Sequence, residues 1–212
     1  MVRVAPGRGA GGPRVDVGAA YDARAEEYTA LLGTPDRLAA VDVARVRRWR
    51  DATAGPLLDA GCGPAAWAEV LQGADARVVV GVDLSGRFLT SARRRCPRLP
   101  LLRGSLAALP LRDAAVGGVL AWYSALHTPP AELPQLLGEL GRVLRPGGSL
   151  LLGFVDGPAG EPFDHAVLTA WSWTTEALAP LLDGAGLAVV EHEQRRDPGQ
   201  RPHGALVARR RT

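Results

Sequence analysis

A chain of 212 residues with 47% apolar content is the size of one α/β domain and carries enough apolar material for a core. Its 25 basic residues against 22 acidic ones give a mild net charge of +3, and every basic residue is arginine. Without lysine, Schiff-base chemistry, a P-loop lysine and a Tyr-x-x-x-Lys dehydrogenase pair are excluded.

Residues 1–16 are rich in Gly, Pro and Arg, lack an apolar signal-peptide core and are expected to form a disordered tail. Helical spacing of Ala20, Tyr21, Ala25 and Tyr28 predicts a helix from Val17 to about Leu32. Pro35 opens a second helix, Asp36 to about Ala52, with Leu38, Val41, Val43 and Val46 on its apolar face. Strands and helices then alternate. Strands are predicted at 56–61, 76–82, about 99–103, 117–122 and 148–155, and helices at 65–73, 85–95 and 131–144. A Gly/Pro-rich loop runs to about 163, and a helix at 174–184 stops at Gly184 and Gly186.

Two last strands fall at about 187–193 and 204–210. The short stretch between them holds Pro198, Gly199 and Pro202 and no helix, so they form a hairpin and the last strand runs antiparallel. The remainder reads as a doubly wound, mostly parallel sheet covered on both faces.

The chemistry concentrates at Leu57-Leu58-Asp59-Ala60-Gly61-Cys62-Gly63-Pro64-Ala65, where an apolar strand breaks into a glycine turn. Twenty residues past Gly63, the run Val78–Val82 ends in Asp83. Gly61, Gly63 and Ala66 satisfy G-x-G-x-x-G/A, and an acid at this spacing can hold ribose hydroxyls, so a nucleoside cofactor follows. Taken alone, the motif also permits NAD. Asp59 shifts the balance, because a carboxylate here repels a pyrophosphate and suits a cation. A carboxylate capping loop amides is the structural alternative.

With these residues, Gly104-Ser105-Leu106-Ala107-Ala108-Leu109-Pro110-Leu111 and Leu140-Gly141-Arg142-Val143-Leu144-Arg145-Pro146-Gly147-Gly148 occur in order. In this the chain resembles the class I S-adenosylmethionine-dependent methyltransferases over about residues 17–210, especially small bacterial members acting on metabolites. The arginine-only, Ala- and Gly-rich composition fits an actinobacterial type. The resemblance implies a Rossmann-like α/β sheet of seven strands with the last antiparallel, N-terminal lid helices, and one methyltransferase domain at 17–210. It implies S-adenosylmethionine as cofactor, held by Tyr21, Asp59, Gly61, Cys62, Gly63, Asp83, Leu84, Ser105, Leu106 and Ala121. Three departures stand out: Pro64-Ala65 in the turn, Ser105 where an adenine-facing acid is usual, and Val116-Gly117 where Phe-Asp is common.

Methyl transfer needs an aligned nucleophile and exclusion of water more than a triad. After the 117–122 strand, Tyr123 is a candidate pocket wall and His127 the candidate base, since histidine titrates near neutrality. His165 is a second base candidate. The region from Phe154 to Trp173, with Phe163, Trp171 and Trp173, is expected to cover the acceptor.

The expected partner is a small molecule to be O- or N-methylated, with no nucleic acid and no membrane. Scattered arginines with only 5% aromatics do not make a nucleic-acid groove, and no apolar run reaches the ~18 residues that span a bilayer. Cys62 and Cys96 form neither a disulfide framework nor a metal set, so no metal is expected and a cytoplasmic location is the default. The acceptor and the oligomeric state stay open. Cofactor binding without methyl transfer, regulatory or cyclase-like, and an NAD-dependent oxidoreductase remain as alternatives.

Overall fold

The computed structural model describes residues 16–212, so the expected tail lies outside the described residues except for Asp16. Asp16 caps α1 (Val17–Ala23), its carboxylate accepting from the Ala19 amide. The expected single lid helix is two. The chain breaks at Arg24 (φ −115°), and α2 runs Ala25–Leu32. A short 3₁₀ turn, Pro35–Arg37, precedes α3 (Ala40–Ala52), so the second helix starts four residues later than its sequence suggests.

The parallel strands are β1 (Leu57–Ala60), β2 (Val79–Asp83), β3 (Leu101–Arg103), β4 (Val116–Trp122) and β5 (Leu144–Val155). Between them run α4 (Ala66–Gln72), α5 (Gly86–Arg95) and α6 (Leu133–Val143). A two-stranded ribbon that the sequence did not announce, β6 (Pro162–Phe163) with β7 (Ala170–Trp171), folds the Gly/Pro-rich segment. α7 (Thr175–Gly184) leads to the hairpin of β8 (Leu187–Arg195) and β9 (His203–Arg210).

The sheet order is β3-β2-β1-β4-β5-β9-β8. β9 pairs antiparallel with both β5 and β8, as the hairpin argument required. This separates the chain from the dinucleotide fold, whose sixth strand continues the parallel sheet. Buried leucines fill both faces. Leu137, Leu140, Leu150 and Leu152 lie on one side; Leu57, Leu71, Leu89 and Leu151 lie on the other. Each such side chain contributes roughly 1.5–3 kcal/mol by leaving water.

One of the sequence departures acquires a structural reason. A Cβ at Gly117 would sit 1.8 Å from the carbonyl oxygen of Ala54, and the Gly117 amide donates to Pro56 at 2.8 Å. Glycine at 117 is therefore demanded by the chain passing beside the start of β4. The later motifs are stitched to each other. Arg142 donates to the carbonyls of Leu109 and Leu111 at 3.2 and 2.8 Å, and Glu139 accepts from the Leu109 amide at 2.9 Å.

Candidate active site

Antiparallel pairing places the N-terminal end of β9 beside the carboxyl end of β5, with Val155 opposite His203. The carboxyl ends of β1, β2 and β4 open on the same side. A cavity of about 960 Å³ lies there, lined by the glycine turn, the lid helices, the loop after β4 and the β8–β9 hairpin. Single ligand sites span roughly 300–1,000 Å³, so this space accommodates a nucleoside cofactor and a small acceptor together.

At one end the turn is shaped by backbone freedom. Gly61 (φ +77°) and Gly63 (φ +52°) are both left-handed, and a Cβ on Gly61 would collide with the Ser124 Cβ at 2.3 Å. Ala65 also takes a left-handed conformation (φ 71°), so the stiffer Pro64-Ala65 pair is accommodated at the entry to α4. Asp83 closes the turn: one carboxylate oxygen accepts from the Gly63 amide at 2.8 Å and the other from the Ser85 amide at 2.7 Å. Burial raises its pKa, and these amides pull it back.

Asp59 lies beneath the turn, 1% exposed, and one of its carboxylate oxygens has no partner. Burial, then the charge of Asp83, pushes its pKa up to about 8, while the Ala68 amide opposes the shift. Cys62 lines the cavity as a thiol whose pKa burial raises, so it is an inert small side chain.

The lid is fastened at two points. Asp22 accepts from the Ser85 hydroxyl at 2.5 Å and from the Arg87 amide at 3.0 Å, which fixes α1 to the start of α5. Tyr21 bonds to His127 Nε2 at 2.9 Å. The other nitrogen, Nδ1, lies 2.9 Å from the Thr169 carbonyl and must donate to it, so in the neutral ring Nε2 accepts from the Tyr21 hydroxyl. Burial lowers the His127 pKa and raises that of Tyr21. Tyr21, Tyr28 and Phe88 pack at centroid distances of 5.5 to 6.3 Å, and the break at Arg24 turns both tyrosines onto Phe88.

The structure thus brings Tyr21, Gly61, Cys62, Gly63, Asp83, Leu84, Leu106, Tyr123 and His127 to one cavity, with Phe163 and His165. Asp59, Ser105 and Ala121 are not among its lining residues. Asp59 is under the turn, the Ser105 hydroxyl accepts from the Ala107 amide at 3.2 Å, and Ala121 packs into the core beneath β4. Trp171 and Trp173 face a separate apolar cleft with Leu178.

Sequence reasoning missed Trp67, Asp42, Arg195 and His203 on the cavity wall. No motif marks them. They arrive by topology, from the helix after the turn, from α3 and from the terminal hairpin.

The sheet order with its antiparallel β9 and flanking helices is the Rossmann-like fold of solved S-adenosylmethionine-dependent methyltransferases. Residues 57–148 match the family described as a methyltransferase domain. A probable S-adenosylmethionine-dependent methyltransferase of Mycolicibacterium smegmatis is 38% identical over 96 residues, 45% of this chain and 36% of that one. A malonyl-[acyl-carrier protein] O-methyltransferase of Pseudescherichia vulneris is 32% identical over 134 residues, 63% of this chain and 51% of that one. The matched region therefore spans between about a third and a half of these relatives.

Among solved structures, the 1,6-didemethyltoxoflavin-N1-methyltransferase of Burkholderia thailandensis, with S-adenosylhomocysteine bound, has TM-score 0.68 at 20% identity. The match covers 95% of this chain and 93% of that one. The [4+2]-cyclase SpnF has TM-score 0.72 at 20% identity, covering 92% and 96%. At this identity the likeness is one of fold. Among the described residues, no helix is long and apolar enough to cross a membrane, and no cluster of His, Cys, Asp and Glu could hold a metal ion.

Proposed function

We propose that the chain transfers a methyl group from S-adenosylmethionine to a hydroxyl or amine of a small molecule. The observation that carries this reading is the single cavity joining the Gly61–Gly63 turn and Asp83 to the Tyr123 and His127 walls.

The residues fit the cofactor. Gly63 leaves bare backbone toward the cavity, with nothing nearer than Phe88 at 4.0 Å to a Cβ built there. Asp83 stands at the strand tip with lone pairs beyond those used by Gly63 and Ser85, suited to ribose hydroxyls. Asp59 has an orphaned buried oxygen below the turn, and the positive field of a sulfonium and an ammonium would favour its ionised form against the burial that keeps it protonated. Leu84, Leu106 and Phe88 supply apolar walls for an adenine. When bound, the cofactor supplies an electrophilic methyl already activated by its sulfonium.

The protein's task is then alignment and dehydration. The lid helices close over the turn, and the Tyr21–His127 bond latches them to the loop after β4. His127 can take an acceptor's proton at Nε2 only once Tyr21 releases that nitrogen. Phe163, His165 and Tyr123 narrow the acceptor end.

The same fold serves a [4+2]-cyclase, so turnover is the discriminating measurement. The full chain is incubated with S-adenosylmethionine and a panel of hydroxyl- and amine-bearing metabolites, and released S-adenosylhomocysteine is measured. Acceptor-dependent release supports methyl transfer. Tight cofactor binding without release across the panel sinks it.

A further inference from the structure

Three histidines line the cavity, His127, His165 and His203, and the surroundings of His127 and His203 differ. Both nitrogens of His127 are engaged, by Tyr21 and Thr169. His203 is 3% exposed, its Nδ1 bonds to the Tyr123 hydroxyl, and its Nε2 has no hydrogen-bond partner. A carboxylate oxygen of Glu193 lies 3.9 Å from Nε2. A proton on Nε2 faces that carboxylate favourably, whereas a lone pair there would face it unfavourably. Nδ1 therefore accepts from the Tyr123 O–H, and the lone pairs of the Tyr123 oxygen are left to accept a hydrogen bond from the cavity. The backbone holds Tyr123 there in a left-handed conformation (φ 57°), a strained state of a kind found at functional sites.

The walls at this end are aromatic. Trp122 lies 5.6 Å from Trp67, 5.9 Å from Tyr123 and 5.3 Å from His203. The two carboxylates lining it, Asp42 and Asp197, are both paired with Arg195, at 2.8 and 2.6 Å. An ammonium acceptor would find no unpaired anion here, while a flat neutral ring would find matching faces. We propose that this end of the cavity takes a hydroxyaryl acceptor, whose proton leaves through the Tyr123 hydroxyl to Nδ1 of His203.

The inference rests on the methyl-transfer reading. The acceptor oxygen forms its bond to the methyl carbon, and the electron pair of the broken carbon–sulfur bond stays on sulfur. The acceptor proton passes to the Tyr123 oxygen as Tyr123 gives its own to His203. The imidazolium so formed faces Glu193 and Arg195 from β8, Asp42 and Arg45 from α3, and Tyr123 and Trp122 from the end of β4. Arg45 is itself paired with Glu191 and Glu193, and Arg195 with Asp42 and Asp197, so the carboxylates and guanidiniums that face the ring offset one another. At rest, burial lowers the His203 pKa and keeps the ring neutral and ready to accept. A phenol, with pKa about 10, is within reach of such a base in a way an alkyl alcohol is not. His203 acts through Tyr123 and is a positioning and proton-holding residue.

The test uses 4-nitrophenol as probe and sinefungin, whose ammonium stands where the sulfonium charge would be. Sinefungin binding is first measured by calorimetry on the full chain. The probe is then titrated into the loaded protein, and its phenolate band is followed against pH. In the unmodified chain the bound probe should ionise at least about one unit below its pKa in water. Tyr123→Phe and His203→Gln should still bind the probe, within about tenfold of the unmodified chain, but lose that shift. Tyr123→Phe removes only a hydroxyl, and it decides the matter if His203→Gln does not fold. An unshifted probe, a shift that survives in Tyr123→Phe, or a loaded protein that does not bind the probe overturns the inference while leaving methyl transfer standing. Failure of sinefungin to bind overturns methyl transfer, and the acceptor assignment falls with it.

Discussion

Tyr21 on the first lid helix and His127 in the loop after β4 meet across 106 positions of sequence in one 2.9 Å hydrogen bond. In the proposed reading, that bond joins the part of the chain that covers the cofactor end to the part that borders the acceptor end. Closure over one ligand is thereby coupled to the walls of the other.

Removing the latch should loosen the lid without harming the sheet. Tyr21→Phe keeps the ring contacts with Tyr28 and Phe88 and deletes only the hydroxyl. One hydrogen bond to a partly buried ring is worth about 1 kcal/mol, so S-adenosylhomocysteine should bind about fivefold more weakly, with a melting temperature lower by no more than about 4 °C. Calorimetry and a thermal melt check both. A variant that binds as tightly as the unmodified chain would remove the bond from lid closure.

Asp83 has two tasks, and substitution should expose both. Asp83→Ala deprives the Gly63 and Ser85 amides of their acceptor and removes the group that would hold a ribose. Cofactor affinity should fall by about 1–3 kcal/mol, and urea stability by about 1–2 kcal/mol. A loss of stability with intact affinity would make Asp83 a loop clasp alone.

Asp59 makes stability depend on pH in a defined direction. Folding raises its pKa from 3.8 to about 8, so the folded chain retains a proton that the unfolded chain has released. This group's stabilising contribution is complete below about pH 4 and is lost as the pH climbs to about 8. The melting temperature of the cofactor-free chain should fall across that window. Asp59→Asn, which cannot ionise, should flatten the fall and be the more stable protein at pH 8, by an amount on the order of a few kcal/mol. Parallel pH profiles of the two proteins would contradict the burial assigned to this carboxylate.

Gly117 offers a test of the fold at a departure from the family pattern. Gly117→Ala drives a methyl into the Ala54 carbonyl, with backbone on both sides of the clash. The variant should lose about 3 kcal/mol or more in urea titration. A loss within about 0.5 kcal/mol would show that the start of β4 can move away.

Much of this molecule is legible in the order of its residues. Apolar runs ending in Gly61 and Asp83 mark parallel strands, and the Pro/Gly-rich gap before His203 marks the hairpin that makes β9 antiparallel. These signals are local, and local periodicity is what sequence carries best. What stayed hidden depends on distant pairing. Ala23-Arg24-Ala25 contains no helix breaker, yet the lid bends there because Tyr21 and Tyr28 pack on the same Phe88. Ser105 and Ala121 occupy plausible motif positions, but one turns to its own loop and the other faces the core. His203 is an unremarkable residue at a strand start until the antiparallel register brings it opposite Val155 and against Tyr123.

The central claim is that the glycine turn and Asp83 form a site for S-adenosylmethionine. Calorimetric titration of the full chain with S-adenosylhomocysteine tests it most directly. Saturable binding with one site per chain, tighter than about 1 mM and weakened at least about fivefold in Asp83→Ala, is the expected result. A folded chain that takes up no S-adenosylhomocysteine at that concentration would contradict it.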